Sequence, residues 1–229
     1  MTRVRAICTR YAMLNMVVWS VEDSKRVNIE KVFRRVEKLC RSLSEALEYL
    51  AGLLSIAVKR VGLEAVAVDG GCGSGFMTSL LREAGFEGEI VCIDMDPAMA
   101  IAAHRLSECS HTLIADLRMI PLRSGLASII ILGSVIHETD VQVLAKELAR
   151  VCRAPCFLAV LDRVATVLRG VIHRIARRFL HERLRIFEVP HSYESIDRAL
   201  RVSGFKEVAR AVWSRRAIEA LMVGLWVLK

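Results

Sequence analysis

The residues best suited to chemistry in this chain are three aspartates and a run of glycines. Asp69, Asp94 and Asp116 each end a short apolar run, and glycines dominate the segment Asp69–Gly75. Glycine allows a backbone to turn sharply and to approach a ligand closely. The carboxyl ends of parallel strands meet at one edge of a sheet, and open α/β sheets bind their ligands there. These residues therefore predict a ligand site built from acids and glycine backbone.

The segment Asp69–Gly75 fits one of three glycine-rich templates completely. A phosphate-binding P-loop requires Lys where Phe76 stands and a hydroxyl where Met77 stands. The dinucleotide fingerprint requires Gly or Ala at position 76, so it fails as well. The pattern acid-x-Gly-x-Gly-x-Gly is matched at every position, namely Asp69, Gly71, Gly73 and Gly75.

The elements that must position these residues alternate between strand and helix. Apolar runs predict five strands, over residues 65–69, 89–94, 112–116, 128–132 and 156–162. Helical spacing predicts helices over residues 76–84, 97–106 and 141–151. Such alternation is typical of a parallel sheet with helices on both faces. After a helix over residues 192–203, two further strands over 205–212 and 217–228 are predicted to form an appended hairpin.

These motifs resemble those of class I S-adenosylmethionine-dependent methyltransferases, and most closely the small-molecule group that includes the quinone-biosynthesis C-methyltransferases. Six segments match in the right order: 66–75, 93–97, 115–117, 120–137, 147–161 and 199–205. The resemblance implies a Rossmann-like, doubly wound sheet of seven strands, with five parallel strands and a C-terminal antiparallel hairpin. It covers roughly residues 60–229, and we predict an N-terminal helical cap over 1–60 and a methyltransferase domain over 61–229. It also implies an enzyme whose cofactor is S-adenosylmethionine.

The resemblance assigns the adenosine half of the cofactor to the ends of the second and third strands. Asp94 would accept hydrogen bonds from both ribose hydroxyls, and Met95 would lie against the adenine. Asp116 would accept from the adenine amino group, and Leu117 would supply a backbone contact. Each aspartate taken alone could instead be a helix cap, because all three precede turns or helices.

The resemblance assigns the methionine half to the glycine loop and to the end of the fourth strand. Asp69 would orient the loop and face the positive end of the cofactor. The backbone at Leu132 and Gly133 would meet the methionine ammonium group. The complete set of predicted cofactor-binding residues is Asp69, Gly70, Gly71, Cys72, Gly73, Gly75, Asp94, Met95, Asp116, Leu117, Leu132 and Gly133.

The predicted reaction is an SN2 displacement at the sulfonium methyl, which chiefly requires that nucleophile and methyl are held in line. A general base is needed only when the nucleophile starts protonated. His137 is the candidate because it follows the fourth strand on the ligand edge, and Glu138 could assist it. The alternative is that His137 is a surface or capping residue.

The segment 162–190 is predicted to be a basic helical lid over a small, anionic acceptor. It contains seven Arg against one Asp and two Glu. A solvated amphipathic helix remains the alternative. An RNA methyltransferase that binds phosphates through basic helices remains open, although the segment Leu132–Val135 has neither an Asn/Asp-Pro-Pro-aromatic motif nor a Pro-Cys pair. A non-enzymatic subunit that binds the cofactor for a partner is the third alternative.

Composition sets further limits. The formal net charge is +8, and 26 of the 33 basic residues are Arg. Two Asn and one Gln are few for 229 residues, which favours a thermophilic source. No apolar stretch approaches the roughly 18 residues that span a bilayer, so we expect a cytoplasmic protein. The seven cysteines leave at least one unpaired, and none has zinc spacing with His partners, so we predict no metal site.

Overall fold

The computed structural model describes residues 3–10, 34, 38, 40–62, 64–165, 191–216 and 219–229. The strands are β1 Val66–Gly70, β2 Glu89–Asp94, β3 His111–Ile114, β4 Ala127–Gly133, β5 Cys152–Ala165, β6 Phe205–Arg216 and β7 Glu219–Leu228. The helices are α1 over residues 3–10, α2 Ser44–Val58, α3 Phe76–Glu83, α4 Pro97–Leu106, α5 Val141–Val151 and α6 Tyr193–Val202.

The seven strands form one sheet in the order β3-β2-β1-β4-β5-β7-β6. Strands β1 to β5 are parallel to one another, and β7 lies antiparallel between β5 and β6. The order reverses direction between β1 and β4, and that switch point is where open α/β sheets bind ligands. The predicted doubly wound sheet with a C-terminal antiparallel hairpin is therefore confirmed.

Each face of the sheet is covered by its own helices. Apolar residues of α2 and α3 pack with one face, and those of α5 and α6 pack with the other. Strand β4 is buried over Ala127–Leu132, because central parallel strands are covered on both sides. Two helices start at aspartate caps: Asp96 precedes α4 and Asp140 precedes α5.

Two strand ends differ from the prediction, and pairing explains both. Strand β3 ends at Ile114 because its only neighbour, β2, ends at the paired residue Asp94. Strand β5 runs from Cys152 to Ala165 because β7 continues to pair with it as far as residue 165. Residues 162–165, predicted as the start of the lid, therefore belong to the sheet, whereas 166–190 lie outside the described residues.

The structure pairs six of the seven cysteines. The disulfides join Cys8 to Cys40, Cys92 to Cys109 and Cys152 to Cys156, with Cα–Cα distances of 5.8, 5.9 and 5.6 Å. The first links α1 to the residues that lead into α2. The N-terminal helical cap predicted over residues 1–60 is described only in part, with α2 as its longest described piece.

Candidate active site

The glycine loop between β1 and α3 owes its path to three glycines. Gly71, Gly73 and Gly75 have φ angles of 65°, 52° and 93°, which residues with a Cβ rarely adopt. Space is restricted as well. A Cβ built on Gly71 would lie 2.1 Å from Val135 Cγ2, and one built on Gly75 would lie 2.2 Å from Ser107 Cβ. Only glycine therefore fits the loop at Gly71 and Gly75.

Asp94 ties the end of β2 to this loop. Its Oδ2 accepts a hydrogen bond from the Gly73 N–H at 2.8 Å, and its Oδ1 accepts from the Asp96 N–H at 3.0 Å. The cap of α4 is Asp96, which accepts from the Ala98 N–H. The alternative that Asp94 itself caps this helix is therefore wrong. Its half-buried carboxylate stands at the strand tip, beside the glycine backbone.

Asp116 lies two residues beyond β3 and stays close to the tip of β2. The Ala115 N–H donates to the Asp94 carbonyl at 3.0 Å. The Asp116 carboxylate accepts hydrogen bonds from Nε and Nη2 of Arg118 at 2.5–3.0 Å, and these lower the Asp116 pKa. The next residue, Leu117, is buried in the core. Asp94 and Asp116 thus occupy adjoining positions at the carboxyl edge.

Large apolar side chains stand exposed on the same two strand ends. The exposed fraction is 71% for Met95, 60% for Ile114 and 79% for Met119. Single exposed apolar residues are normal, but several on adjoining segments of one edge are typical of a ligand site. Their position next to two carboxylates suits a ligand that combines an apolar ring with hydroxyl and amino groups.

Asp69 lies deeper than the other two acids. Its side chain is completely buried, and its Oδ2 accepts from the Thr78 N–H at 2.9 Å and from the Thr78 hydroxyl at 2.7 Å. Its Oδ1 has no hydrogen-bond partner within the described part of the chain. Burial raises the pKa of Asp69 to about 7, although the two Thr78 donors oppose the shift. Asp69 therefore anchors the first turn of α3 beneath the loop.

The end of β4 closes the site from the other side of β1. Leu132 is aligned with Gly70 across the parallel pair, and a Cβ on Gly70 would lie 2.8 Å from Leu132 Cδ2. A Cβ on Gly133 would lie 2.6 Å from Met77 Cγ. The following residue, Ser134, has a φ of 60°, so the chain turns sharply where β4 ends. Both glycines thus allow neighbouring side chains to pack closely under the site.

Cys72 is the free thiol of the glycine loop. It is buried, and its Sγ donates a weak hydrogen bond to the Gly73 carbonyl at 3.6 Å. Burial raises the pKa of this thiol above its usual range. The thiolate is the nucleophilic form of cysteine, so Cys72 serves the loop as a small packed residue.

His137 lies in a short 3-10 turn, Ile136–Glu138, that follows β4. Its Nδ1 is 2.6 Å from Asp162 Oδ1, and its Nε2 is 2.5 Å from Nη2 of Arg163. A guanidinium only donates, so Nε2 must accept, and an ionised carboxylate only accepts, so Nδ1 must donate. We therefore assign the neutral Nδ1–H tautomer. The side chain is 2% exposed, so the alternative of a surface histidine is wrong.

Asp162 is the residue of this site that the sequence prediction missed. It is completely buried in β5 and contacts His137 together with the backbone that follows β4. A usable signal was present, because the predicted fifth strand ends in an acid like the first three. Thr78, the partner of Asp69, carried no such signal, because nothing in its spacing separates it from other helical threonines.

Two further side chains, His191 and Tyr193, hold the structure around the site. His191 Nε2 donates to the Thr139 carbonyl at 2.9 Å. The Tyr193 hydroxyl donates to Glu207, and the Arg210 guanidinium lies 3.6 Å from the Tyr193 ring centroid. Glu138 Oε1 lies 3.4 Å from His137 Nε2. The basic part of the predicted lid, residues 166–190, falls outside the described residues.

Comparison with known proteins gives a family match over the centre of the chain. Residues 68–160 match the sequence family described as a methyltransferase domain. This span runs from Val68, the third residue of β1, to Val160 in β5, so it contains every predicted cofactor-binding residue and His137. A search of curated protein sequences found no match.

Solved structures share the fold. Geranyl diphosphate C-methyltransferase from Streptomyces coelicolor, solved with S-adenosyl-L-homocysteine and a geranyl diphosphate analogue, has a TM-score of 0.64 at 13% identity, covering 100% of this chain and 99% of that chain. A Galdieria sulphuraria protein assigned as a sarcosine dimethylglycine methyltransferase has a TM-score of 0.64 at 15% identity, covering 80% and 84%. A Pyrococcus horikoshii protein has a TM-score of 0.59 at 19% identity, covering 81% of this chain and 91% of that chain.

Two expectations about partners can be compared with these findings. The substrates named for the two methyltransferases are small molecules, so these comparisons lend no support to RNA as the acceptor. A search for membrane spans found no helix, among the residues the structure describes, with the length and hydropathy needed to cross a bilayer.

Proposed function

We propose that this chain is a class I S-adenosylmethionine-dependent methyltransferase and that it methylates a small anionic acceptor. The observation that carries the proposal is the division of the carboxyl edge into two parts. Asp94 and Asp116 stand at the ends of β2 and β3, whereas His137 and Arg163 stand at the ends of β4 and β5. Acids suit the hydroxyl and amino groups of the cofactor, and a guanidinium suits an anion on the acceptor.

The residues at the acidic part fit the cofactor. Asp94 offers carboxylate oxygens to ribose hydroxyls, and the exposed Met95 offers an apolar surface to the adenine. The glycine loop brings backbone close to the ligand without side chains in between. When bound, S-adenosylmethionine supplies a methyl group on a positively charged sulfur, which keeps the electron pair of the broken bond. The chain therefore has to position the acceptor more than it has to activate the methyl group.

His137 and Arg163 act on the acceptor in this proposal. Holding two reactants in line converts a bimolecular step into an effectively unimolecular one, which can lower the barrier by several kcal/mol, about 7 in favourable cases. His137 Nε2 takes the proton of an acceptor that starts protonated, because in the assigned tautomer this nitrogen carries the ring's lone pair, which Arg163 releases when its guanidinium turns to the anionic acceptor. Arg163 directs its guanidinium to the same nitrogen, so an anionic acceptor that contacts Arg163 is brought next to the base.

An anionic acceptor agrees with the charge of the chain and with its structural neighbours. The formal net charge of +8 favours association with anions. Geranyl diphosphate carries two phosphate groups, and sarcosine carries a carboxylate. The seven Arg of the segment 162–190 support the same inference at the level of the sequence. Among the described residues, Arg163 is the arginine of this segment that contacts His137.

The test uses S-adenosylmethionine labelled in its methyl group and a cell extract separated into RNA, protein and small molecules. The small molecules are separated again by anion exchange. We expect label in the retained, anionic fraction, and no label with the Asp94→Ala variant, which serves as a control without a ribose contact. Label in RNA, or only in neutral small molecules, would contradict the proposal.

A further inference from the structure

Asp162 is completely buried and accepts hydrogen bonds from four different residues or backbone groups. Its Oδ2 accepts from the N–H groups of Val135 at 2.9 Å and Ile136 at 2.6 Å. Its Oδ1 accepts from the Arg163 N–H at 2.6 Å and faces His137 Nδ1 at 2.6 Å. Four donors saturate the acceptor capacity of a carboxylate. A group with no remaining capacity and no exposure does not bind a ligand, so its effect must pass through its partners.

We infer that Asp162 is a positioning residue for methyl transfer, which fixes the tautomer and orientation of His137 while it holds the backbone that carries this histidine. The inference rests on the proposed function in so far as His137 serves as the base. Asp162 itself touches neither cofactor nor acceptor. It acts by keeping the proton of His137 on Nδ1 and the lone pair on Nε2, which is the nitrogen that must receive the proton of the acceptor.

The tautomer follows from what each neighbour can do. Neutral imidazole carries one proton, and the partner of one nitrogen decides what the other can offer. The Asp162 carboxylate requires a donor, so it retains the proton on Nδ1. Nε2 then accepts from Arg163 and is the basic nitrogen. A proton taken up by Nε2 gives an imidazolium whose charge lies next to the buried carboxylate, and this favours the transfer.

The backbone contacts of Asp162 extend the effect toward the cofactor. Val135 donates to Asp162, and its side chain fills the space over Gly71, where a Cβ would lie only 2.1 Å from Val135 Cγ2. The same carboxylate therefore places His137 and packs the segment after β4 against the glycine loop. Asp162 thus holds the base directly and sets its position relative to the glycine loop, although it does not contact the cofactor itself.

Asp162→Asn separates positioning from folding because the amide is nearly isosteric. Its carbonyl oxygen can still accept hydrogen bonds from the N–H groups of Val135 and Ile136, since a backbone N–H can only donate. Its NH2 group then faces His137 Nδ1, and the ring can answer only by moving its proton to Nε2. That proton would meet the donor group of Arg163, so the base would be lost. Val135 and Ile136 keep their acceptor, whereas the Arg163 N–H loses its own.

The experiment combines three measurements on the full chain. Long-range 1H–15N NMR of the histidine rings gives the tautomer of His137, assigned by the loss of its signals in His137→Gln. Calorimetry gives the dissociation constant of S-adenosylhomocysteine, and methyl transfer gives kcat and KM. Asp140→Asn is the matched control, since Asp140 also accepts two N–H groups after β4 but caps α5 at the surface.

For Asp162→Asn we expect the His137 proton on Nε2, a dissociation constant within about twofold of the wild type, and kcat lower by at least about 100-fold with little change in KM. The double variant with His137→Gln should lose no more activity than either single variant, because the two residues act as a unit. Asp140→Asn should change none of these quantities.

An Nε2–H tautomer in the wild type would overturn the inference directly, and this measurement needs no variant that folds. An unchanged tautomer or an unchanged kcat in Asp162→Asn would overturn it too, as would additive losses in the double variant. A wild-type chain that shows the assigned tautomer and binds S-adenosylhomocysteine, yet methylates no anionic acceptor, would contradict the proposed function and leave the geometry of His137 and Asp162 intact.

Discussion

Asp69 in β1 and Asp162 in β5 are both completely buried, yet the protein treats the two carboxylates differently. Asp69 accepts from one residue, Thr78, and its Oδ1 has no partner among the described residues. Asp162 accepts from four donors, and both of its oxygens are used. Burial raises the pKa of Asp69 to about 7, because two hydrogen bonds do not replace the water that a carboxylate loses.

The difference comes from where the nearby backbone donors point. Around Asp69 the loop donors are already taken, because Gly71 and Cys72 donate to the Ile93 carbonyl and Gly73 donates to Asp94. The turn after β4 has unpaired N–H groups at its start, as every helical segment has, and they point at Asp162. Two equally buried carboxylates therefore differ in the number of hydrogen-bond donors that the nearby backbone directs at them.

The largest effect expected from this comparison is on the free energy of unfolding. Asp162→Ala leaves three backbone N–H groups and the His137 ring without their acceptor, so the unfolding free energy should fall by about 4 to 5 kcal/mol. Asp69→Ala leaves only the Thr78 donors and removes a poorly satisfied carboxylate, so its loss should be about 1 to 2 kcal/mol. Urea unfolding of both variants, with the disulfides kept intact, measures the two losses.

Equal losses in the two alanine variants would contradict the comparison, because they would mean that burial and not the number of donors sets the value of each acid. Asp140→Ala is a reference for a capping aspartate at the surface, and it should cost about 1 kcal/mol. A far-ultraviolet circular dichroism spectrum equal to that of the wild type shows that each variant starts from the same fold.

The titration of Asp69 should be visible in the pH dependence of the unfolding free energy. Its pKa is about 7 in the folded chain and about 3.9 in the unfolded chain, so the folded state binds the proton more tightly. The stabilising contribution is therefore complete below about pH 4 and is lost as the pH rises to about 7, by up to roughly 4 kcal/mol. Thermal or urea unfolding from pH 4 to pH 8, for wild type and Asp69→Asn, measures this loss as the difference between the two curves.

Asp69→Asn is neutral at every pH and nearly isosteric, so it removes the titration and keeps an acceptor for Thr78. A difference between wild type and variant that stays constant from pH 4 to pH 8 would show that Asp69 does not titrate in this range.

The sequence was sufficient to predict the sheet and most of its strands. Strand β4 reads as an uninterrupted apolar run, and the glycine pattern after Asp69 fixes the start of α3, so the order of elements follows directly. Strand ends were predicted less well. Strand β3 ends at Ile114 because its neighbour ends, and β5 continues to Ala165 because β7 pairs with it. Both facts depend on residues distant in the chain.

Within the site, the sequence indicated which residues meet but not how each is held. The strand-end acids Asp94 and Asp116 lie where the pattern predicts, because a parallel sheet forces its strand ends together. Sequence spacing does not determine side-chain directions. It therefore could not predict that Asp96 rather than Asp94 caps α4, or that Asp162 holds His137. Sequence periodicity places a Cα on a face or an edge, whereas a hydrogen bond requires the positions of two side chains.

Asp94 extends the comparison to an acid that is only half buried. Asp94→Asn keeps an acceptor for Gly73 but loses the charge that attracts hydroxyl donors, so S-adenosylhomocysteine should bind about 10- to 100-fold more weakly. The unfolding free energy should change by less than about 1 kcal/mol, since water can replace what is lost at a half-exposed site. Calorimetry and urea unfolding give the two values.

A large loss of stability in Asp94→Asn, with unchanged affinity, would reverse this assignment and make Asp94 a structural acid like Asp162. Asp96→Asn is the matched control two residues away, because Asp96 caps α4 and has no predicted cofactor contact. Its affinity for S-adenosylhomocysteine should equal that of the wild type.

The smallest effect is expected for the surface ion pair between Arg118 and Asp116. Arg118 donates three hydrogen bonds to Asp116 and lowers its pKa, but solvent and salt screen such a pair. Arg118→Gln should therefore leave the melting temperature unchanged. It should weaken the binding of S-adenosylhomocysteine by only about two- to threefold. The reason is that the Asp116 carboxylate then samples more orientations before it meets the adenine amino group. A loss of binding that grows with added salt would contradict this account, since salt already weakens the wild-type pair and should bring the two proteins closer together.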